Sequence, residues 1–135
     1  MNFVLTHLRF AAFLLAGLTA SPALAATCQI TPFELSFTND SATTMVVTSG
    51  SVCGVNFISG GRGRTVSAGG INHLAVAEQG THGRAGTQGF NVWGYQSQKG
   101  YVGKDRFVLE VGGEIMYNRV IRGTSHVTVD VDVVR

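Results

Sequence analysis

Beyond its first 25 residues the chain alternates apolar and polar positions with a period of two. Phe33, Leu35 and Phe37 alternate after Pro32, as do Trp93 and Tyr95, and Phe107, Leu109 and Val111. Val127, Val129, Val131 and Val133 then place four valines in step near the end. A side chain at every second position on one side is the pattern of a strand with one buried face. Thr43 to Thr48 is rich in β-branched residues and predicts a further strand. Ser51–Ser59, Thr65–Ser67, Ile71–Glu78, Phe90–Ser97 and Arg106–Val111 are predicted strands as well. Glu114–Arg122 and Thr124–Val134 are expected to close the chain as a hairpin around Gly123. Between them lie turn-forming stretches: Asn39-Asp40-Ser41, Ser49-Gly50, Gly60–Arg64, Ala68-Gly69-Gly70, and a polar loop from Gly80 to Gly89 with four glycines. No segment after the first 25 residues carries a helical period. Short strands at close intervals with glycine turns predict an all-β sandwich or barrel.

The first 25 residues differ. Phe10 to Leu18 is an apolar run too short to span a bilayer, Arg9 is the lone formal charge, and Pro22 precedes Ala23-Leu24-Ala25. This is the form of a cleaved secretory signal, so residues 1–25 are expected to leave and 26–135 to form one domain. Thr27 before Cys28 does not fit a lipidation site. The chain has ten basic and eight acidic side chains; with Arg9 gone the remainder carries nine against eight, a net charge of +1. Near neutrality argues against a nucleic-acid partner, and no second apolar run predicts membrane insertion after cleavage. Cys28 and Cys53 are the only cysteines. An even count in an exported chain predicts a disulfide. Their spacing suits neither a metal knuckle nor a redox pair.

The stretch from Tyr95 to Phe107 is the most informative. Gly100 and Gly103 bracket Tyr101, and Asp105 precedes the strand that begins at Arg106-Phe107. Asp105 is expected to accept hydrogen bonds from turn amides and fix the corner rather than to bind a cation. The spacing Tyr95…Gly100-Tyr101-x-Gly103-x-Asp105-x-Phe107 resembles the Y-x-P-x-x-G-[FY]-x-G-x-D-x-F signature of bacterial cadherin-like and immunoglobulin-like repeat domains. Thr81-His82-Gly83-Arg84-Ala85 is similar to the H-G-x-[VA] turn that often precedes it in that family, and the closing valines to its last strand. Ser97 stands where the family has Pro. The resemblance implies an immunoglobulin-like, cadherin-like Greek-key β-sandwich with a structural or interaction role, and it is nearly silent on activity.

Chemistry-bearing residues are sparse. Arg62 and Arg64 sit in a glycine loop without the context of a phosphate cradle. His73, His82 and His126 have no metal-motif spacing. Asp130 and Asp132 share a strand face but fall short of the six or so oxygens that calcium takes. No cofactor is expected, and no nucleophile elbow marks a hydrolase. If a ligand surface exists, His82 and Arg84 in the loop and Trp93 and Tyr95 beside it are the candidates, with aromatic burial as the competing use. The expectation is an exported, non-catalytic module whose partner is another envelope or extracellular protein. Two rivals stand beside it. A carbohydrate-binding or inhibitor module predicts exposed aromatics, and a metal-dependent enzyme predicts that the histidines, or Asp105, Asp130 and Asp132, converge.

Overall fold

The structure is a computed structural model that describes residues 25–57, 63–65 and 70–135. The expected signal segment up to residue 24, the arginine at 62 and most of the predicted strand at 65–67 lie outside the described residues. Ten strands follow in order: β1 Cys28–Ile30, β2 Phe33–Leu35, β3 Ser41–Thr48, β4 Val52–Asn56, β5 Gly63–Thr65, β6 Ile71–Glu78, β7 Gly83–Gln88, β8 Val92–Ser97, β9 Gly103–Tyr117 and β10 Arg119–Val134. There is no helix among the described residues.

Two main sheets pack face to face as a β-sandwich. One has the order β1-β3-β10-β9-β6, the other β4-β8-β7; β2 and β5 make a small parallel pair beside them. Within the larger sheet β10 runs parallel to β3 and antiparallel to β9. The period-two pattern decides what lies between the sheets. Met45 and Val47 from β3, Phe107, Leu109 and Val111 from β9, and Val127, Val129, Val131 and Val133 from β10 are buried, and Trp93, Tyr95, Ala85 and Cys53 meet them from the smaller sheet. Tyr95 stacks on Phe107 at 5.4 Å between ring centroids, and Trp93 meets the same ring edge-on at 6.0 Å. Such aromatic pairs add roughly 0.5–1.5 kcal/mol each beyond area burial. Cys28 and Cys53 are bonded, so the bridge joins β1 of the larger sheet to β4 of the smaller.

Two turns hand the chain from one sheet to the other, and two expectations need correction. Ser49-Gly50 does not fold β4 back beside β3; it hands the chain to the other sheet, with Gly50 at φ 76°. The stretch between Tyr95 and Phe107 is likewise a corner between sheets, since β8 and β9 lie in different ones. The polar loop Gly80–Gly89 contains a true strand, β7, zipped to β8 from Gly83↔Ser97 to Gln88↔Val92. The last hairpin turns at Asn118, with φ 55°, and Gly123 sits inside β10 opposite Gly113. Those two glycines are there for another reason. A Cβ on either would overlap Phe37, whose segment crosses the hairpin at this level.

Ser97 explains its own departure from the family spacing. Its amide donates to the Ser51 carbonyl at 3.1 Å and its hydroxyl to the Thr48 carbonyl at 2.9 Å. Proline at this position could do neither.

The disulfide closes a loop of 25 residues, which in the chain-entropy model stabilises the fold by about 3–4 kcal/mol. The oxidised protein should therefore react with no thiol reagent under native conditions, and reduction should lower the urea midpoint by an amount equivalent to about 3 kcal/mol. Stoichiometric labelling without reductant would contradict the bridge.

Candidate functional site

The corner anticipated at Asp105 is complete. Asp105 Oδ1 accepts the amides of Thr81 at 2.8 Å and Arg106 at 2.9 Å; Oδ2 accepts the His82 amide at 2.9 Å and the Tyr95 hydroxyl at 2.6 Å. A carboxylate offers about four lone-pair sites, and all are taken by protein donors. Asp105 is thus a structural acceptor with nothing left for a cation. Burial alone would push its carboxyl up, but the Tyr95 hydroxyl and the three amides outweigh burial and hold it below its ordinary value. Burial first, and then the bond to Asp105, push the Tyr95 phenol well above its own. Gly100 and Gly103 have φ of 87° and 143°, backbone conformations that favour glycine. They let Tyr101 fold back, donate its hydroxyl to the Lys104 carbonyl at 2.6 Å, and stack on His82 with centroids 3.9 Å apart and planes within 6°.

This geometry redistributes the candidate binding residues. Trp93 and Tyr95 are 1% exposed, so neither is a surface stacking platform; both point between the sheets because β8 places them on its inward positions. Trp93 Nε1 is buried with no hydrogen-bond acceptor among the described residues. His82 is spent on the corner. Arg84 alone of the four is fully exposed, on β7. The aspartates do not converge either. Asp130 pairs with Arg106 at 2.6 Å and Asp132 with Lys104 at 2.9 Å, on the outer face of the larger sheet. On that face His73 lies 2.8 Å and His126 3.6 Å from Glu110, far along the sheet from the corner that holds His82. Among the described residues no group of three or more His, Cys, Asp or Glu side chains could hold a metal ion.

Two surface features were not read from the sequence. The first is the outer face of the three-stranded sheet. Register places Gly54, Gly94 and Gly86 side by side across β4, β8 and β7. This glycine row floors an open trough of about 370 Å³. One wall is the row Val52, Gln96 and Arg84; the other is Val92 and Gln88. The signal was present in principle, since all three glycines occupy outward positions of alternating strands, but it needs the pairing of three distant segments to be seen.

The second is an arm. β6 pairs β9 only as far as Gly113, and β3 pairs β10 only from Val127. Beyond those points Glu114–Tyr117 and Arg119–Arg122 continue as a two-stranded ribbon, braced by an Arg122–Glu114 ion pair at 2.7 Å. Met116 and Val120, directly opposite each other, are 75% and 42% exposed.

No protein-family model matches the chain, and comparison with curated proteins and with solved structures finds no match.

The lowered Asp105 carboxyl makes a pH prediction. Its ionised form contributes stability above the ordinary carboxylate range, near pH 4, and that contribution is lost as pH falls through the lowered value. Asp105→Asn should cost about 1–3 kcal/mol at pH 7 in urea unfolding, and the gap from the parent should close as the pH is taken below the carboxylate range. A gap that stays constant with pH would contradict the assignment.

Proposed function

We propose that this protein is an exported, non-catalytic binding module with an immunoglobulin-like, cadherin-like Greek-key fold, and that it engages another envelope or extracellular protein through the β9–β10 arm. Four observations support this reading. Strands β4, β8 and β7 form one sheet and β6, β9 and β10 the other, the partition that immunoglobulin-like domains make between their B-E-D and C-F-G strands. The strand β3 beside β10 then corresponds to a first strand carried over to the second sheet. A disulfide belongs to an oxidising compartment, in keeping with the signal-like first 25 residues. No helix of the described residues is long and apolar enough to cross a membrane.

The arm carries the functional part of the proposal. Glu114 still donates its amide to the Gly70 carbonyl at 2.9 Å, but among the described residues no strand pairs with Ile115–Tyr117 on the side away from β10 or with Arg119–Arg122 on the side away from β9. Unpaired edges of this kind accept a strand from another chain, and the backbone ladder supplies affinity while side chains on alternate positions select the partner. The exposed Met116–Val120 pair offers an apolar anchor at the same place.

A photo-crosslinking residue at position 116 should give a discrete protein adduct in the producing cells. The same residue at Gln29, on the exposed part of β1, should give none, and replacing residues 114–122 by a short turn should remove adduct and partner together. Equal labelling from both positions would overturn the arm as the contact.

A further inference from the structure

The trough on the three-stranded sheet is unrelated to the arm and asks for a different ligand. Its floor is the first clue. At Gly54 and Gly94 the strands approach so closely that a Cβ would sit 3.1 Å and 3.0 Å from the facing carbonyl, so packing by itself accounts for glycine there. At Gly86 a Cβ would meet nothing within 4 Å, and the backbone has no positive φ. Glycine inside a strand weakens it, and a strand glycine without a packing reason marks a place where something else comes close to the backbone. On the inward side of the same strand the contrast is plain: a Cβ at Gly83 would overlap the Tyr95 ring.

The walls are the second clue. Arg84, Gln88 and Gln96 line the trough, and none of these side chains has a hydrogen bond or ion pair among the described residues. Strands β4, β7 and β8 together contain one basic residue, Arg84, and no acidic one. The acids of β9 and β10 are on the other sheet, where Glu114, Asp130 and Asp132 face Arg122, Arg106 and Lys104 and Asp105 is enclosed in its corner. Among the described residues Arg84 is the one charged group that lines the trough, and its unpaired guanidinium suits a carboxylate held by paired N–H donors.

The third clue is shape. A row two residues away along a strand is ~7 Å off, and three strands span ~10 Å, so the glycine floor is a narrow slot running across the strands. Its volume is near the lower end of the ~300–1,000 Å³ typical of small-ligand sites. The floor presents Cα–H groups and peptide planes of β4, β8 and β7. Beyond the Gln88–Val92 wall, Phe90 in the β7–β8 turn is 60% exposed. A flat apolar floor, an exposed ring beyond one wall, amide side chains on the rim and one cation fit a sugar ring that carries an acid group. A protein interface would want larger buried anchors than Val52 and Val92 provide.

We infer that the glycine trough of β4, β8 and β7 binds a uronate-containing polysaccharide, one ring lying on Gly86 and Gly94 with its carboxylate on Arg84 and its hydroxyls on Gln88 and Gln96.

The test is titration of the purified protein with α-linked oligogalacturonate and β-linked oligoglucuronate, their carboxyl-reduced neutral counterparts, and an oligoglutamate peptide, followed by calorimetry and amide chemical shifts. At least one uronate should bind, with shifts centred on β7 and β8, at least tenfold more tightly than its neutral counterpart. Arg84→Gln should remove that tenfold preference while leaving neutral binding unchanged. Gly86→Leu, for which there is room, should abolish both by filling the slot without lowering the thermal midpoint. If neither uronate binds, if both variants bind like the parent, or if shifts map elsewhere, the inference is wrong. Equal binding of oligoglutamate would overturn the sugar assignment in favour of a general polyanion surface. Crosslinking from position 116 reports on the arm separately, so either proposal can fail without the other.

Discussion

Everything in this molecule hangs on how the chain passes between its two sheets, and the carboxylate of Asp105 is the fixed point of that passage. It sits at the start of β9 in the larger sheet, takes the hydroxyl of Tyr95 from β8 in the smaller one, and holds the amides of Thr81 and His82 from the β6–β7 connection. Three segments that belong to two sheets therefore meet on one side chain. Hydrogen bonds to an ionised acceptor are worth about 1.5–3 kcal/mol each, so losing the acceptor would leave several donors at the corner without a partner. Around it the fit is close: a Cβ at Gly80 would lie 2.6 Å from Asp105 Oδ2. The Tyr95 ring continues inward to stack on Phe107, which links the polar corner directly to the apolar core.

With the crossing fixed, the two outer faces diverge in character. The larger sheet carries a ladder of opposed charges, Lys104–Asp132, Arg106–Asp130 and Arg122–Glu114, each pair in direct register across β9 and β10. Exposed pairs of this kind add little to stability. Their clearer effect is to cover a long two-stranded surface with matched charge, which discourages indiscriminate strand addition. The smaller sheet has no such ladder. Its middle is bare backbone with one free guanidinium at the side. The arm beyond Gly113 lacks the ladder at its tip, where Met116 and Val120 take its place. Charge neutralisation on one face thus leaves two places where the molecule is unfinished, and both proposals attach to those places.

Much of the fold was legible because period-two alternation is a local property. The four closing valines and the Phe107-Leu109-Val111 run each announce a buried face within a few residues. The Cys28–Cys53 bridge followed from an even count behind a signal-like leader, and Asp105 from its place among turn glycines. What stayed hidden was non-local. Gly83–Gln88 has hardly any β-branched or large apolar side chain, so its strand exists only because β8 zips to it. The hairpin tip was misplaced because Gly123 looks like a turn, whereas its small size serves the crossing of Phe37. Trp93 and Tyr95 could be counted as polar aromatics but not oriented until the sheet containing β8 was known. The glycine trough needs residues 54, 86 and 94 in one row, a fact of register that no single stretch of sequence contains.

The most direct measurement of the Asp105 account is a double-mutant cycle in urea at pH 7, comparing the parent with Tyr95→Phe, Asp105→Asn and the two combined. If the carboxylate and the phenol act as one joint between the sheets, the two losses should fail to add by about 1 kcal/mol or more. Additivity to within about 0.3–0.5 kcal/mol would mean that the bond between them holds nothing together, and the corner would lose its place at the centre of the fold.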